Sequence, residues 1–193
     1  MRFVYDNLIT LLWIAFLVYW QLMWQVMGRT KSIERLEPAS SRLLRALLFA
    51  VAIVLFSWHS VPGRWLHIQL WPQSYTLYNF GIVMTAAGIA FAVWARIHLG
   101  ANWSRSVTVK QNHELITTGP YGLVRHPIYT GLLFGLGGAV VAVGQVRAIL
   151  ALALISWALW RKLRLEETWM REQFGAIYEG YSRRTRALVP FVL

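Results

Sequence analysis

The chain is 193 residues long, 57% apolar and only 14% charged, with a net charge of +11 and a mean hydropathy of +0.46. Soluble domains carry about 25% charged residues, so a globule of this size would lack the polar sequence to cover its surface. An ordinary soluble domain and a disordered chain are excluded, and with no cysteine so are a disulfide scaffold, a thiolate metal site and a cysteine nucleophile.

The remaining class is an all-α integral membrane protein. Crossing a bilayer core takes about 20 helical residues, and five apolar stretches approach that length, near Leu8–Val26, Leu43–Val61, Leu77–Ala95, Ile128–Val143 and Val146–Trp160. None alternates with the period of a barrel strand. The first run is long for a signal peptide and no small-residue cleavage site follows, so it is expected to be a retained helix. Only Gly144-Gln145 separates the fourth stretch from the fifth, which predicts a tight antiparallel hairpin. Gly131, Gly135, Gly138 and Ala142 are expected to permit close helix packing.

The basic residues fall on alternate connections. Five, four and seven of them follow the first, third and fifth stretches, and the opposite side holds only Arg2, Arg64 and Arg147. This bias predicts an outside N-terminus and a cytoplasmic C-terminus. Trp65, Trp71, Tyr75 and Tyr78 crowd the outer loop as an interfacial belt would, and His59 and Trp58 are expected at the same interface. The positive charge is read as orientation and contact with anionic lipid, since no recognition motif for nucleic acid accompanies it.

Most polar residues able to do chemistry lie in residues 96–126 and 161–193, both expected on the cytoplasmic face. Pro127 disfavours helical geometry at His126 and suits the first position of a helix. Backbone N–H groups of Ile128 and Tyr129 would then lie beside Arg125 and His126, either as an anion-binding helix start or as a simple capped end. Continuing the fifth stretch as a helix places Leu163, Met170, Phe174, Ile177 and Tyr181 on one stripe, with Gly175 able to interrupt it after Phe174. Glu166 and Glu167 lie within the stripe; Glu172 and Glu179 point away. Adjacent carboxylates on an apolar face need a partner, either an arginine such as Arg125 or a cationic ligand. The five histidines show no ligand spacing, so no metal is expected. Gly135-Leu136-Gly137-Gly138 has no strand before it and is not a dinucleotide turn.

Leu99-Gly100-Ala101-Asn102-Trp103-Ser104, His113-Glu114-Leu115-Ile116, Gly119-Pro120-Tyr121 and Arg125-His126-Pro127-Ile128-Tyr129 together resemble the isoprenylcysteine carboxyl methyltransferase family. Glu166-Glu167, Phe174-Gly175, Tyr178 with Tyr181, and Pro190-Phe191 continue the resemblance in order, over about half the chain. It implies one membrane-embedded domain over 1–193, with N-terminal helices in 1–95 and a catalytic region in 96–193. It also implies S-adenosylmethionine as cofactor, bound by a cytoplasmic C-terminal helical extension. His113, Leu115, Ile116, Tyr121, His126, Pro127 and Tyr129 would line that pocket with Glu166, and Arg125 stands beside them at the helix start. The family's substrate-contacting arginine falls on Lys162, which lacks the planar fork that clamps a carboxylate.

The function expected is methyl transfer to a lipophilic acceptor entering from the bilayer, with a prenylcysteine carboxylate favoured. A carboxylate needs no general base; an amine would need one, for which Glu167 or His126 is the candidate. A phospholipid amine methyltransferase, an NADPH-dependent sterol-type reductase and a non-catalytic membrane protein are the alternatives.

Overall fold

The computed structural model describes residues 7–27, 33–57, 62–100, 108–110 and 115–189. Its architecture is helical, as the composition requires. Helix α1 spans Leu8–Met27, α2 Ala39–Ser57, α3 Tyr75–Leu99, α4 Pro120–Leu123, α5 Pro127–Val143, α6 Val146–Phe174 and α7 Ala176–Arg184. A two-stranded antiparallel ribbon joins β1, Ile33–Leu36, to β2, Thr108–Lys110. This ribbon was not foreseen, because strands of four and three residues carry too few side chains to show a period.

Three helices contain stretches long and apolar enough to cross a membrane: Leu8–Gln25, Ala39–Phe56 and Tyr75–Leu99. The second helix begins four residues before its expected apolar start, because Ala39-Ser40-Ser41-Arg42 forms its polar first turn. Trp58 and His59 lie outside the described residues. Helix α5 is apolar but only 17 residues long. Helix α6 runs unbroken for 29 residues, about 43 Å at 1.5 Å per residue, so its charged C-terminal part continues well past its apolar half.

The α5–α6 hairpin forms where expected. Gly144 takes the left-handed conformation (φ 65°) that ends α5, and its N–H bonds to the Val140 carbonyl. The hairpin is tied to the preceding loop by Trp71 Nε1, which donates to the Val141 carbonyl at 2.9 Å. Arg147, one of the few basic residues expected at this end, donates to the Leu55 and Phe56 carbonyls at 2.6 and 2.8 Å. It thereby satisfies the last turn of α2, whose carbonyls have no partner within the helix.

Helices α3 and α5 meet along a seam of small residues. A Cβ built on Gly88 would lie 2.5 Å from the Gly131 carbonyl oxygen and 2.7 Å from the Gly135 Cα. One built on Gly81 would lie 2.6 Å from the Gly138 carbonyl oxygen. Backbone therefore packs on backbone, and the Thr85 hydroxyl donates across the seam to the Gly135 carbonyl at 3.0 Å. The three glycines expected to permit close packing do so. At one end of this seam Ala95, Tyr121, Ile128, Tyr129, Leu159 and Leu163 form the apolar cluster beneath the polar site.

Candidate active site

Three pieces of chain converge at the start of α5. Gly119 adopts φ 58°, and the four-residue helix after it presents Tyr121 inward. His126 is the residue preceding α5 and Pro127 is its first residue, as expected from the proline. The strand-like return after α7 then straps this start. The Arg125 N–H donates to the Arg186 carbonyl at 2.7 Å, and the His126 N–H to the Ala187 carbonyl at 3.0 Å. The Thr130 hydroxyl adds a bond to the Leu188 carbonyl at 2.7 Å.

Helix α6 brings Lys162, Glu166 and Glu167 against that start. The Tyr129 hydroxyl donates to Glu166, with its oxygen 2.7 and 2.8 Å from the two carboxylate oxygens. Lys162 Nζ lies 3.6 Å from Glu166 Oε1 and 5.5 Å from the centre of the Tyr129 ring. The His126 ring stacks on the Tyr129 ring at 5.4 Å, nearly parallel. Its two nitrogens face different carboxylates, Nδ1 at 3.5 Å from Glu166 Oε2 and Nε2 at 3.4 Å from Glu167 Oε1.

The adjacent glutamates are thus divided between two tasks. Glu167 is buried (6% exposed) and receives Arg125 Nε at 2.7 Å, with Arg171 at 3.1 Å. Arg125 also donates to the Ser182 carbonyl at 3.1 Å and to the Thr185 carbonyl, which locks α7 and the C-terminal return onto α5. Of the two partners considered for the acidic pair, Glu167 has the arginine. Glu166 keeps 23% of its side chain exposed among a hydroxyl, an ammonium and an imidazole, and it is the carboxylate within reach of a ligand.

Burial alone raises both carboxyl groups, but their partners outweigh it. Bonds from His126 and Arg125 and the Arg125 charge hold Glu167 down at about 2. The Lys162 charge, with bonds from His126 and Tyr129, holds Glu166 below the usual carboxylate range. Burial lowers His126, yet bonds to Glu166 and Glu167 reverse this and raise it above 6.5. Burial pushes the Lys162 ammonium down, opposed by Glu166 and reinforced by Arg45.

A pH dependence of stability follows from the linkage between protonation and folding. The raised His126 contributes stability that is complete below the unfolded value of 6.5 and is lost as pH rises through the folded value. Glu167 contributes above the unfolded value of 4.5 and loses its share as pH falls towards about 2. Melting of the detergent-solubilised protein should therefore be most resistant between those limits, and His126→Gln should flatten the alkaline slope. An unchanged alkaline slope in that variant would show that the imidazole is not charged between the two carboxylates.

The remaining expected site residues lie close by. Ile116 packs against the apolar cluster that contains Tyr121 and Tyr129. Leu115, the residue before it, is half-buried. Tyr121 stacks on His98 at 6.4 Å, and its carbonyl accepts from the Tyr181 hydroxyl at 2.6 Å. His113 lies outside the described residues. The stripe on α6 holds through Leu163, Met170 and Phe174, but Ile177 is 70% exposed. The reason is Gly175, which ends α6 at φ 49° and starts α7 on a new axis. Glu172 and Glu179 are exposed as expected. An ion pair that the sequence did not signal stands near Lys162: buried Glu37, just ahead of α2, receives both terminal nitrogens of Arg45, one at 3.0 Å.

The family model for isoprenylcysteine carboxyl methyltransferases matches residues 81–172. The chain is 30% identical over 164 residues to protein-S-isoprenylcysteine O-methyltransferase B of Arabidopsis thaliana, covering 81% of this chain and 83% of that protein. It is also 30% identical to form A from the same plant, over 80% of this chain and 74% of that protein. The cobalt-zinc-cadmium resistance protein CzcN of Cupriavidus metallidurans is 28% identical, over 74% of this chain and 59% of its own length.

Proposed function

We infer the function from one premise: the chain belongs to the isoprenylcysteine carboxyl methyltransferase family. It is an integral membrane methyltransferase that uses S-adenosylmethionine, and its acceptor is the carboxylate of a prenylcysteine. What we add is the assignment of residues, the sidedness and the path of the acceptor.

Glu166 is the observation that carries the assignment. It is a partly exposed carboxylate, with Lys162 at 3.6 Å and the stacked His126 and Tyr129 rings beside it. That donor and acceptor set fits an amino-acid nucleoside: a carboxylate for an ammonium or ribose hydroxyls, and the Tyr129 ring, which already faces the Lys162 ammonium, as an aromatic face for a cation. Ile116, Leu115 and Tyr121 supply apolar wall, and the helix start at Pro127 suits a carboxylate. When bound, S-adenosylmethionine supplies a methyl group on a positive sulfur, which the acceptor oxygen displaces in line so that the electron pair of the broken bond stays on sulfur. Lys162 faces the same carboxylate from α6 and is assigned to the acceptor.

Arg125 and Glu167 are positioning residues in this reading. Their bonds to each other and to the chain after α7 hold the His126 end of α5 in register with Glu166 on α6. Glu167, held at about 2, is a weak base near neutrality.

Five crossings, with α5 and the first half of α6 as the fourth and fifth, put the site on the cytoplasmic side with the C-terminus. The distribution of basic residues supports this orientation. A lipophilic acceptor would then approach laterally from the bilayer and the cofactor from the cytoplasm.

Purified protein incubated with methyl-labelled S-adenosylmethionine and a mixture of N-acetyl-S-farnesylcysteine and phosphatidylethanolamine vesicles tests the reading. Label should appear as a base-labile ester on the farnesylcysteine. Label on the amine headgroup instead would overturn the carboxylate assignment.

A further inference from the structure

A cleft of about 180 Å3 separates the first turns of α2 from the middle of α6. Its walls include Leu44, Arg45 and Leu48 from α2, Arg161 and Lys162 from α6, and Glu37. We propose that Arg45 is an acceptor-binding residue, which together with Lys162 holds the carboxylate of the lipid-tailed acceptor in this cleft. The inference rests on the carboxylate acceptor argued above and deepens it. Arg45 lies outside residues 81–172, the stretch that the family model matches.

Four observations support this. First, Arg45 is held in place. A basic residue serving only orientation extends its head into the lipid headgroups, whereas Arg45 is turned onto buried Glu37, with 15% of its side chain exposed. Second, only two of the five N–H donors of its guanidinium are directed at Glu37, which leaves others for a second anion. Third, the cleft shares Lys162 with the Glu166 cluster, where Nζ lies 3.6 Å from Oε1. A carboxylate between Arg45 and Lys162 would therefore adjoin the cofactor side. Fourth, Arg45, Arg161 and Lys162 stand at the cleft against Glu37 and, behind Lys162, Glu166, so one positive charge is in excess and an anion balances it.

The shape fits an amphiphile. The basic residues stand nearer the polar start of α2, while Leu48 on α2 and Ala158 on α6 line the end towards the apolar halves of both helices. Arg45 also restores what Lys162 lacks, a planar fork matched to a carboxylate. The methyl ester has no charge, so the same cations that attract the acceptor do not retain the product.

The test compares wild type with Arg45→Gln and with the double variant Glu37→Gln/Arg45→Gln, in which no buried carboxylate is left unpaired. The KM for N-acetyl-S-farnesylcysteine should rise about tenfold or more in both, as expected for losing a charge-assisted bond. The Kd for S-adenosylhomocysteine and inhibition by the farnesylcysteine methyl ester should stay within about twofold of wild type. A wild-type KM in the double variant would show that Arg45 only neutralises Glu37, and an equal weakening of the ester would show a general packing role; either overturns the proposal. If wild type binds S-adenosylhomocysteine but methylates no carboxylate, the acceptor reading falls and this inference with it, a result visible before any variant is made.

Discussion

Glu166→Ala is expected to abolish the thermal stabilisation that S-adenosylhomocysteine confers, while the protein stays folded. At a ligand concentration of 100 Kd, binding to the native state stabilises wild type by about 2.7 kcal/mol, and the variant should show almost none of this. The fold should survive because the Arg125 and Glu167 bonds that fasten α5, α6 and α7 remain when the Tyr129–Glu166 bond between α5 and α6 is lost. His126 keeps Glu167 as a partner at 3.4 Å. Melting curves with and without ligand, alongside circular dichroism of the free variant, decide the matter. A ligand-dependent rise equal to that of wild type would remove Glu166 from the cofactor site.

The largest effect on folding should come from a single methyl group. In Gly88→Ala the new carbon would sit 2.5 Å from the Gly131 oxygen and 2.7 Å from the Gly135 Cα. Both are main-chain atoms in a helix and cannot rotate away, so α3 and α5 must separate along the seam. Overpacking of a well-filled interior costs about 1–3 kcal/mol, and here the whole contact between two helices is lifted. Gly137→Ala on the partner helix α5 is the control, since its Cβ would meet only Met84 Cε at 3.9 Å. The first variant should melt well below wild type in detergent and the second close to it. Equal melting temperatures would mean that the seam is looser than described.

The features legible in the sequence were those with a local cause. Pro127 marked the start of α5, Gly144 the hairpin, Gly175 the end of α6, and the period of the apolar residues put Glu166 and Glu167 on the inner face. The family resemblance then supplied what spacing alone could not, that His126, Tyr129 and the glutamates belong to one site. The illegible features join distant residues. Arg45 and Arg147 read as two charges among nineteen, yet one faces buried Glu37 and the other completes the end of α2. Nothing in their neighbours distinguishes an inward arginine from an outward one. Nor could the sequence show that Glu166 and Glu167 divide their partners. That division depends on Arg125, 42 residues before Glu167, and on the return of the chain after α7.

The glycine seam also has a mechanical side. Where side chains pack, rotamer changes can open a passage between helices; where main chain lies on main chain, no such movement exists. The α3–α5 contact is therefore an unyielding wall, and a prenyl tail cannot part it. On the proposed lateral route, entry falls to a boundary that yields through side chains. The leucines of α2 and α6 beside Arg45 form such a boundary, so the rigid half of the protein determines on which side the door can stand.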